Sequence, residues 1–442
     1  MLPNATRCCH QPDNPAVPQR PYDPRMAGAP PTSPTAAVAA RRRILWSLVA
    51  GVGLGSTGYI LAVTVATIVV ADLAGTSVLA GVPGAAIVMG SALGSALLAA
   101  LMARRGRRIG LVAGYLTGAA GAVIAVVAVV ARSLPLLVAA PLLMGFANSA
   151  SQLSRYTAAD MYPLDRRATA IGTVVWGATI GAVLGPNLVS LAGDVAEAAG
   201  LPELAGPYLF LVVFALAAAL VALLLLRPDP YELADESAQR VPGVAAPPTS
   251  IRELLLRPTV AAALTALVVG QVVMVVIMAM TPLHMAAHGH DLAAIGLVIS
   301  GHTFGMFALS PISGRLTDRL GPATVIFLGL ATLATAAAIA AVAPPDGGIV
   351  LFMALFLLGY GWNLGFVAGS TLLASGLEIH ERTRLEGVTD SLIWSSAALA
   401  TLTSGAVMAA AGYAALGLLG LALIALPAAL LVSRRGAVRA AG

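Results

Sequence analysis

Runs of about twenty apolar residues recur along this chain, separated by short loops that hold most of its arginines, and this pattern leaves few folds open. A helix crossing a hydrocarbon layer needs about 20 predominantly apolar residues at about 1.5 Å of rise each. The 442 residues are 58% hydrophobic and only 10% charged, with a mean hydropathy of +0.89, so roughly twelve such spans fit. Too little polar surface is left to face water, which excludes a soluble enzyme, a nucleic-acid binder and a disordered scaffold. Spans are expected near 44–70, 77–102, 109–131, 134–154, 168–191, 206–226, 259–281, 292–313, 322–343, 349–374, 387–410 and 413–433. The fold class is therefore an all-α membrane protein of twelve transmembrane helices.

Charge sets the orientation. Every one of the 25 basic residues is Arg. With the head cytoplasmic, the loop arginines from Arg104 to Arg439 fall inside and only Arg132 falls outside. The positive-inside rule then places both termini in the cytoplasm of a multi-pass cell-membrane protein, and the net charge of +5 is a topology signal, not a partner signal. Residues 1–40 are proline-rich and without apolar period, and read as a disordered cytoplasmic tail with Met26 as a second candidate start. Cys8 and Cys9 lie in that tail beside His10, so no disulfide framework supports the fold. The loop 227–258 divides the chain into bundles at 41–226 and 259–433, with a second tail at 434–442, and its Ser250-Ile251-Arg252-Glu253 reads as a capping box. Three of the six histidines gather in the outward loop from Leu283 to Asp291, without a metal-ligand spacing, and Asp291 reads as a loop charge. No metal and no cofactor are expected.

The two halves repeat. At a constant offset of 215 residues Ala99 matches Gly314, Ala103 matches Asp318, Arg104 matches Arg319, Gly106 matches Gly321, Arg167 matches Arg382 and Gly172 matches Gly387. At 214, Leu143-Met144-Gly145-Phe146 answers Leu357-Leu358-Gly359-Tyr360. An unchanged spacing across three separated regions argues for a duplicated six-span unit.

Gly314, Asp318, Arg319 and Gly321 spell G-x-x-x-D-R-x-G in the loop after span eight, and here the chain resembles the major facilitator superfamily over about residues 41–435. Gly172, Gly181 and Gly185-Pro186 in span five resemble the antiporter motif of that family's drug:proton branch, G-x8-G-x3-G-P-x2-G-G, with Val189-Ser190 in place of the last two glycines. The resemblance implies two six-helix bundles related by pseudo-symmetry around a central cavity, and proton-coupled export. The physics of the row is separate: Gly177, Gly181 and Gly185 share one helix face, which lets a neighbouring helix approach, and Pro186 removes a backbone hydrogen bond. Both a gate and plain helix packing fit that row. Asp318 is expected near the start of span five, where the helix N-terminus and Arg166 or Arg167 favour an anion, and so to latch the cytoplasmic side. Glu386 and Asp390, read as the first turn of span eleven, are candidate partners for the Arg104–Arg108 loop.

Polar groups at mid-depth are costly unless they face a cavity or a partner. Tyr59, Asn148, Gln152, Gln271, Trp362 and Asn363 are the candidate substrate-binding residues, each of which also suits an interhelical hydrogen bond. No carboxylate is expected at mid-depth, which leaves His302 and Asp390 as proton-coupling candidates. The resulting expectation is a secondary active, monomeric carrier exporting a small, largely apolar compound, with the bilayer and protons as its other partners and no nucleic acid. An uptake symporter or facilitator for a small metabolite is the first alternative, and a non-transporting receptor or assembly factor on the same fold the second.

Overall fold

The computed structural model describes residues 33–74, 82–233, 250–344, 347–375, 377 and 379–433. The expectations for residues 1–32, including Cys8, Cys9, His10 and Met26, for 234–249 in the central loop and for the tail 434–442 lie outside the described residues. Span one is Pro34–Ala74, span two Val82–Arg105, span three Arg107–Val130 and span four Leu134–Asp160. Span five runs through three helical pieces, Leu164–Trp176, Ala178–Asn187 and Val189–Ala198, and span six is Gly206–Leu225. After the short helix Ile251–Leu256 come span seven, Pro258–Ala287, and span eight in two pieces, Leu292–Phe307 and Ser310–Leu320. Span nine is Pro322–Val342 and span ten Gly348–Leu373. The last stretch, Ile379–Ser433, is two helices meeting at Gly412, whose φ of 80° reverses the chain into spans eleven and twelve.

Eleven of these described stretches are long and apolar enough to cross a membrane, and the break at Gly412 makes twelve crossings. Large apolar side chains such as Leu97, Leu220 and Leu402 stand exposed on the outside, as a hydrocarbon solvent permits. Several helices outrun their apolar windows. Span one begins at Pro34, inside the segment read as a disordered tail, because proline is at home in a first helical turn and the Ala-rich stretch behind it favours helix. Span eleven begins at Ile379, which moves Glu386 and Asp390 out of the first turn: Asp390 lies about 16 Å along the helix.

The start of span one, the turns after spans two, four, six, eight and ten, and the short helix all gather at one end, called here the basic end. Arg41 donates to the Leu233 carbonyl at 3.2 Å and Arg43 to that of Arg227, which ties span one to the central loop. Asp229, in that loop, accepts from the backbone N–H groups of Arg107 (3.2 Å), Arg108 (3.1 Å) and Tyr231 (3.1 Å) and so caps span three. Burial pushes the Asp229 carboxyl up, and these hydrogen bonds pull it back. Ser250 and Glu253 form the capping box read from the sequence.

Repetition is visible in the packing. In the first half Gly145 lets span four touch the backbone of span two at Gly90 and Ser91, and in the second Gly359 lets span ten touch span eight at His302 and Met306. The sharp turns after spans two and eight use Gly106 (φ 91°) and Gly321 (φ 80°), matched at the 215 offset. Only glycine adopts that backbone without strain.

Candidate functional site

The two halves meet along two seams that are copies of each other. A Cβ on Gly172 of span five would collide with the Ser310 carbonyl of span eight, and one on Gly387 of span eleven would collide with Ala99 and approach the Ser95 carbonyl of span two. Gly172 and Gly387, and Ser95 and Ser310, are related by the same 215 residues. Ser391 adds a hydrogen bond of 2.6 Å to the Ala92 carbonyl. Both seams are fastened at the basic end, but by different chemistry. Asp318 accepts from the N–H groups of Ala168 and Thr169, each at 2.9 Å, and from the Thr169 hydroxyl, so a carboxylate from span eight is held on the second turn of span five. The cations foreseen for it are elsewhere: Arg166 is exposed beside Asp165 at 3.9 Å, and Arg167 donates to the carbonyls of Ala159 and Ala374, both at 3.2 Å. Arg319 is exposed.

Ala103 leaves the other seam without such a carboxylate, and buried ion pairs take its place. Arg107 bonds Asp160 at 2.8 Å and Glu386 at 2.7 Å, and Arg382 bonds Asp160 at 2.8 Å. Arg107, read as part of a loop, is fully buried. Buried charges like these persist only when paired and hydrogen-bonded, since removing one partner typically costs about 3–5 kcal/mol.

One turn deeper, Arg155 of span four bonds Asp390 of span eleven at 2.6 Å with both side chains buried. Its guanidinium also donates to Ser370 (3.2 Å), to the Gln152 carbonyl (2.6 Å) and to the Tyr156 hydroxyl (3.0 Å), and lies 4.2 Å over the Phe366 ring. Beside it Trp362 stacks on Phe366 at 4.4 Å and donates to Gln271 at 2.8 Å, while Phe307 meets Trp362 edge-on at 6.0 Å. A cavity of about 20 Å³ separates Gln152, Arg155, Phe307 and Phe366 from Val52 and Ser56 of span one, room for a water molecule and not for a substrate. Spans five and eight, and spans two and eleven, thus touch closely between the basic end and this aromatic floor, while an open groove of about 370 Å³ lined by Thr169, Thr173, Arg315 and Asp318 remains at the basic end.

Of the residues foreseen as binding substrate, Gln152, Gln271 and Trp362 lie at this floor. Asn148 and Asn363 do not. Asn148 bonds Ser91 of span two at 3.1 Å, and Asn363 bonds Ser310 at 2.6 Å, Ser313 and the Met306 carbonyl of span eight, so each ties two helices inside its own half. Tyr59 packs, half-buried, on a separate apolar cluster of the first half. His302 is fully buried against span ten, its Nδ1 2.9 Å from the Leu355 carbonyl. The glycine row packs on span one: Gly177 against Val49, Gly181 against Ser56 and Thr57, and Gly185 against Ile60. The helix ladder breaks at Gly177 and again at Leu188, just past Pro186. Asp291, read as a loop charge, caps span eight by accepting from the Ala294 N–H at 2.7 Å. No group of three or more His, Cys, Asp or Glu side chains converges as a metal site among the described residues.

The sequence reading missed Arg155, which it used only to count charge on the cytoplasmic side; Arg107 belongs to the Arg104–Arg108 loop foreseen as a partner of Glu386 and Asp390, and it pairs with Glu386, while Asp390 pairs with Arg155. A signal was present. Ser370 is the repeat partner of Arg155, so both halves carry a polar residue at that level.

Asp318 and Asp291 differ in what they join, and their loss separates them. Asp318→Asn removes charge-assisted hydrogen bonds between halves, worth about 1.5–3 kcal/mol each, and is expected to reduce transport about tenfold or more. Asp291→Asn touches one helix end and is expected to change stability by about 1 kcal/mol, with transport near normal. Initial transport rates beside thermal melting of both variants check this.

Two repeated six-helix bundles meeting around a buried polar and aromatic floor define a multi-pass membrane carrier. The chain belongs to the Major Facilitator Superfamily, whose sequence profile matches residues 45–401 and again 262–441, the second match falling on the second repeat. It is 37% identical to the MFS-type transporter YdeG of Bacillus subtilis (strain 168) over 377 residues, 84% of this chain and 88% of that one. It is 30% identical to the riboflavin transporter RfnT of Brucella anthropi over 399 residues, 89% and 95% of the two chains. In fold it is similar to the proton:xylose symporter XylE, with a TM-score of 0.70 at 14% identity over 90% of this chain and 96% of that one. The human organic anion transporter MFSD10 gives 0.69 at 18% identity, over 88% and 99%. The protein is a transporter of small molecules and not an enzyme, which sets aside the receptor alternative.

Proposed function

We propose that this carrier exports a small, flat, largely apolar organic compound across the cell membrane in exchange for protons, with both termini cytoplasmic and one chain as the working unit. The observation that carries the reading is the Arg155–Asp390 pair beside the Trp362–Phe366 stack: an acid able to take a proton lies against the aromatic floor where a ring system would rest. Protonation of Asp390 removes its attraction for Arg155 and loosens the contact between spans four and eleven. Deprotonation restores it. Rocking of the 41–226 bundle against the 259–433 bundle then alternates access, with Gly172, Gly314, Asp318 and Gly321 at one closing seam, Arg167 bridging spans four and ten, and the Gly181, Gly185 and Pro186 segment adjusting span five against span one. Export is favoured by the likeness of that span-five row to the antiporter motif, and the cytoplasmic termini by the arginine distribution.

A second reading rests on RfnT, a riboflavin transporter: a flat heteroaromatic metabolite suits the same aromatic floor. A deletion strain compared with its parent separates the two. Export predicts raised sensitivity to flat toxic compounds such as ethidium with unchanged growth on single nutrients. A growth defect relieved by riboflavin or one other nutrient, with unchanged sensitivity, overturns export and favours the metabolite.

A further inference from the structure

Span eleven carries three buried side-chain oxygens without a hydrogen-bond partner among the described residues: Glu386 Oε1, Thr389 Oγ1 and Asp390 Oδ2. Each side chain is almost wholly buried, and leaving such an atom unsatisfied costs about 1–3 kcal/mol. Thr389 and Asp390 follow Glu386 by three and four residues, so each stands beside Glu386 on the surface of the helix, about 5–6 Å away. The other oxygen of each carboxylate is held by an arginine, Arg107 for Glu386 and Arg155 for Asp390. Both acids are therefore fixed with one oxygen held by an arginine and the other unpartnered among the described residues, beside the Thr389 hydroxyl, whose proton is free to turn.

We propose that Glu386, Thr389 and Asp390 hold water between them and relay a proton between the aromatic floor and the basic end. The inference rests on the proton-exchange reading of Asp390 and extends it to the route the proton takes. A proton on Glu386 Oε1 passes to the bridging water or the Thr389 hydroxyl, which gives its own proton to Asp390 Oδ2. Each relaying oxygen ends with the protons it began with, one O–H bond forms for each that breaks, and no electrons are exchanged. The charged and titratable groups around the stripe are Arg107 from span three, Arg155, Tyr156 and Asp160 from span four, Arg382 from span eleven itself and Tyr231 from the central loop. The three arginines match the three carboxylates, so a single proton added to the stripe leaves it one positive charge in excess. Arg107 and Arg155 then compete for the carboxylate that remains charged. Tyr231 donates to or accepts from Thr383 at 2.7 Å, and burial pushes its phenol up to about 12, so it does not ionise across the working range.

The test needs no substrate. The purified full-length protein in nanodiscs is subjected to a pH jump, and the infrared band of the protonated Asp390 carboxyl, assigned by its loss in Asp390→Asn, is followed in time. The relay predicts that Thr389→Val and Glu386→Gln each slow the rise of that band at least tenfold while its final amplitude is retained, and that Thr389→Ser restores the rate. Thr389→Val removes no charge and no ion pair, so a merely structural role for the stripe would leave the rate unmoved. Unchanged rates in both variants, or no Asp390-dependent band in the parent, overturn the relay. If the band follows the jump as described but the parent never concentrates substrate under a pH gradient, the relay stands and the exchange reading fails.

Discussion

Replacing Gly172 or Gly387 by Leu is expected to leave the protein in the membrane in normal amount and to cut transport by roughly a hundredfold. Each glycine lies where a neighbouring backbone leaves no room for a Cβ, Ser310 for the first and Ser95 with Ala99 for the second. Overpacking such a contact costs about 1–3 kcal/mol, and 1.4 kcal/mol is a factor of ten in population. The cost falls on the conformation closed at the basic end, because only there do spans five and eight, and two and eleven, pack this closely. Folding within each half is untouched. A Ser95→Cys reporter should therefore become more reactive to a thiol reagent in the Gly387→Leu background. Normal transport by both variants would remove the seams from the mechanism.

The second large effect belongs to Asp390. Asparagine has the shape of a protonated aspartic acid, so Asp390→Asn fixes the pair with Arg155 in its loosened form. Accumulation driven by a pH gradient should be lost in proteoliposomes, while downhill exchange stays within about tenfold of the parent. Losing one partner of a buried pair costs about 3–5 kcal/mol, much of it for the charge left behind. Removing that charge as well, in Arg155→Gln with Asp390→Asn, is expected to recover protein stability without recovering accumulation. His302→Gln, by contrast, changes a side chain that faces span ten, and accumulation should survive it.

The bilayer made the architecture easy to read. Twelve apolar stretches, arginine asymmetry and a repeat of 215 residues follow from rules that act on whole helices, and those rules tolerate errors of several residues at each end. The functional seam obeys a different logic. Arg155, Asp160, Arg107 and Glu386 sit just beyond the apolar windows and Asp390 just inside one, yet all are buried because each has an opposite charge from another helix. No spacing within one helix reveals a partner 235 residues away, as Asp390 is from Arg155. Asn148 and Asn363 show the converse. Their depth suggested a cavity, but depth alone does not say which side of a helix a residue occupies, and both turn to a serine of a neighbouring span. Asp318 was legible because a helix N-terminus attracts an anion whatever the detailed fold, and the Ala103 that replaces its repeat partner pointed to a different fastening on the other side.

The central claim is that a proton at the floor of the carrier drives transport. The most direct measurement imposes a pH gradient, acidic on the side where the substrate is to accumulate, on proteoliposomes of the parent protein and follows ethidium and riboflavin in parallel against protein-free liposomes. The account predicts that at least one of them is concentrated above its equilibrium level, that protons move in the opposite direction as it does so, and that collapsing the gradient with a protonophore releases it. Transport that only equilibrates the compound, with the gradient intact and no proton movement, would contradict it.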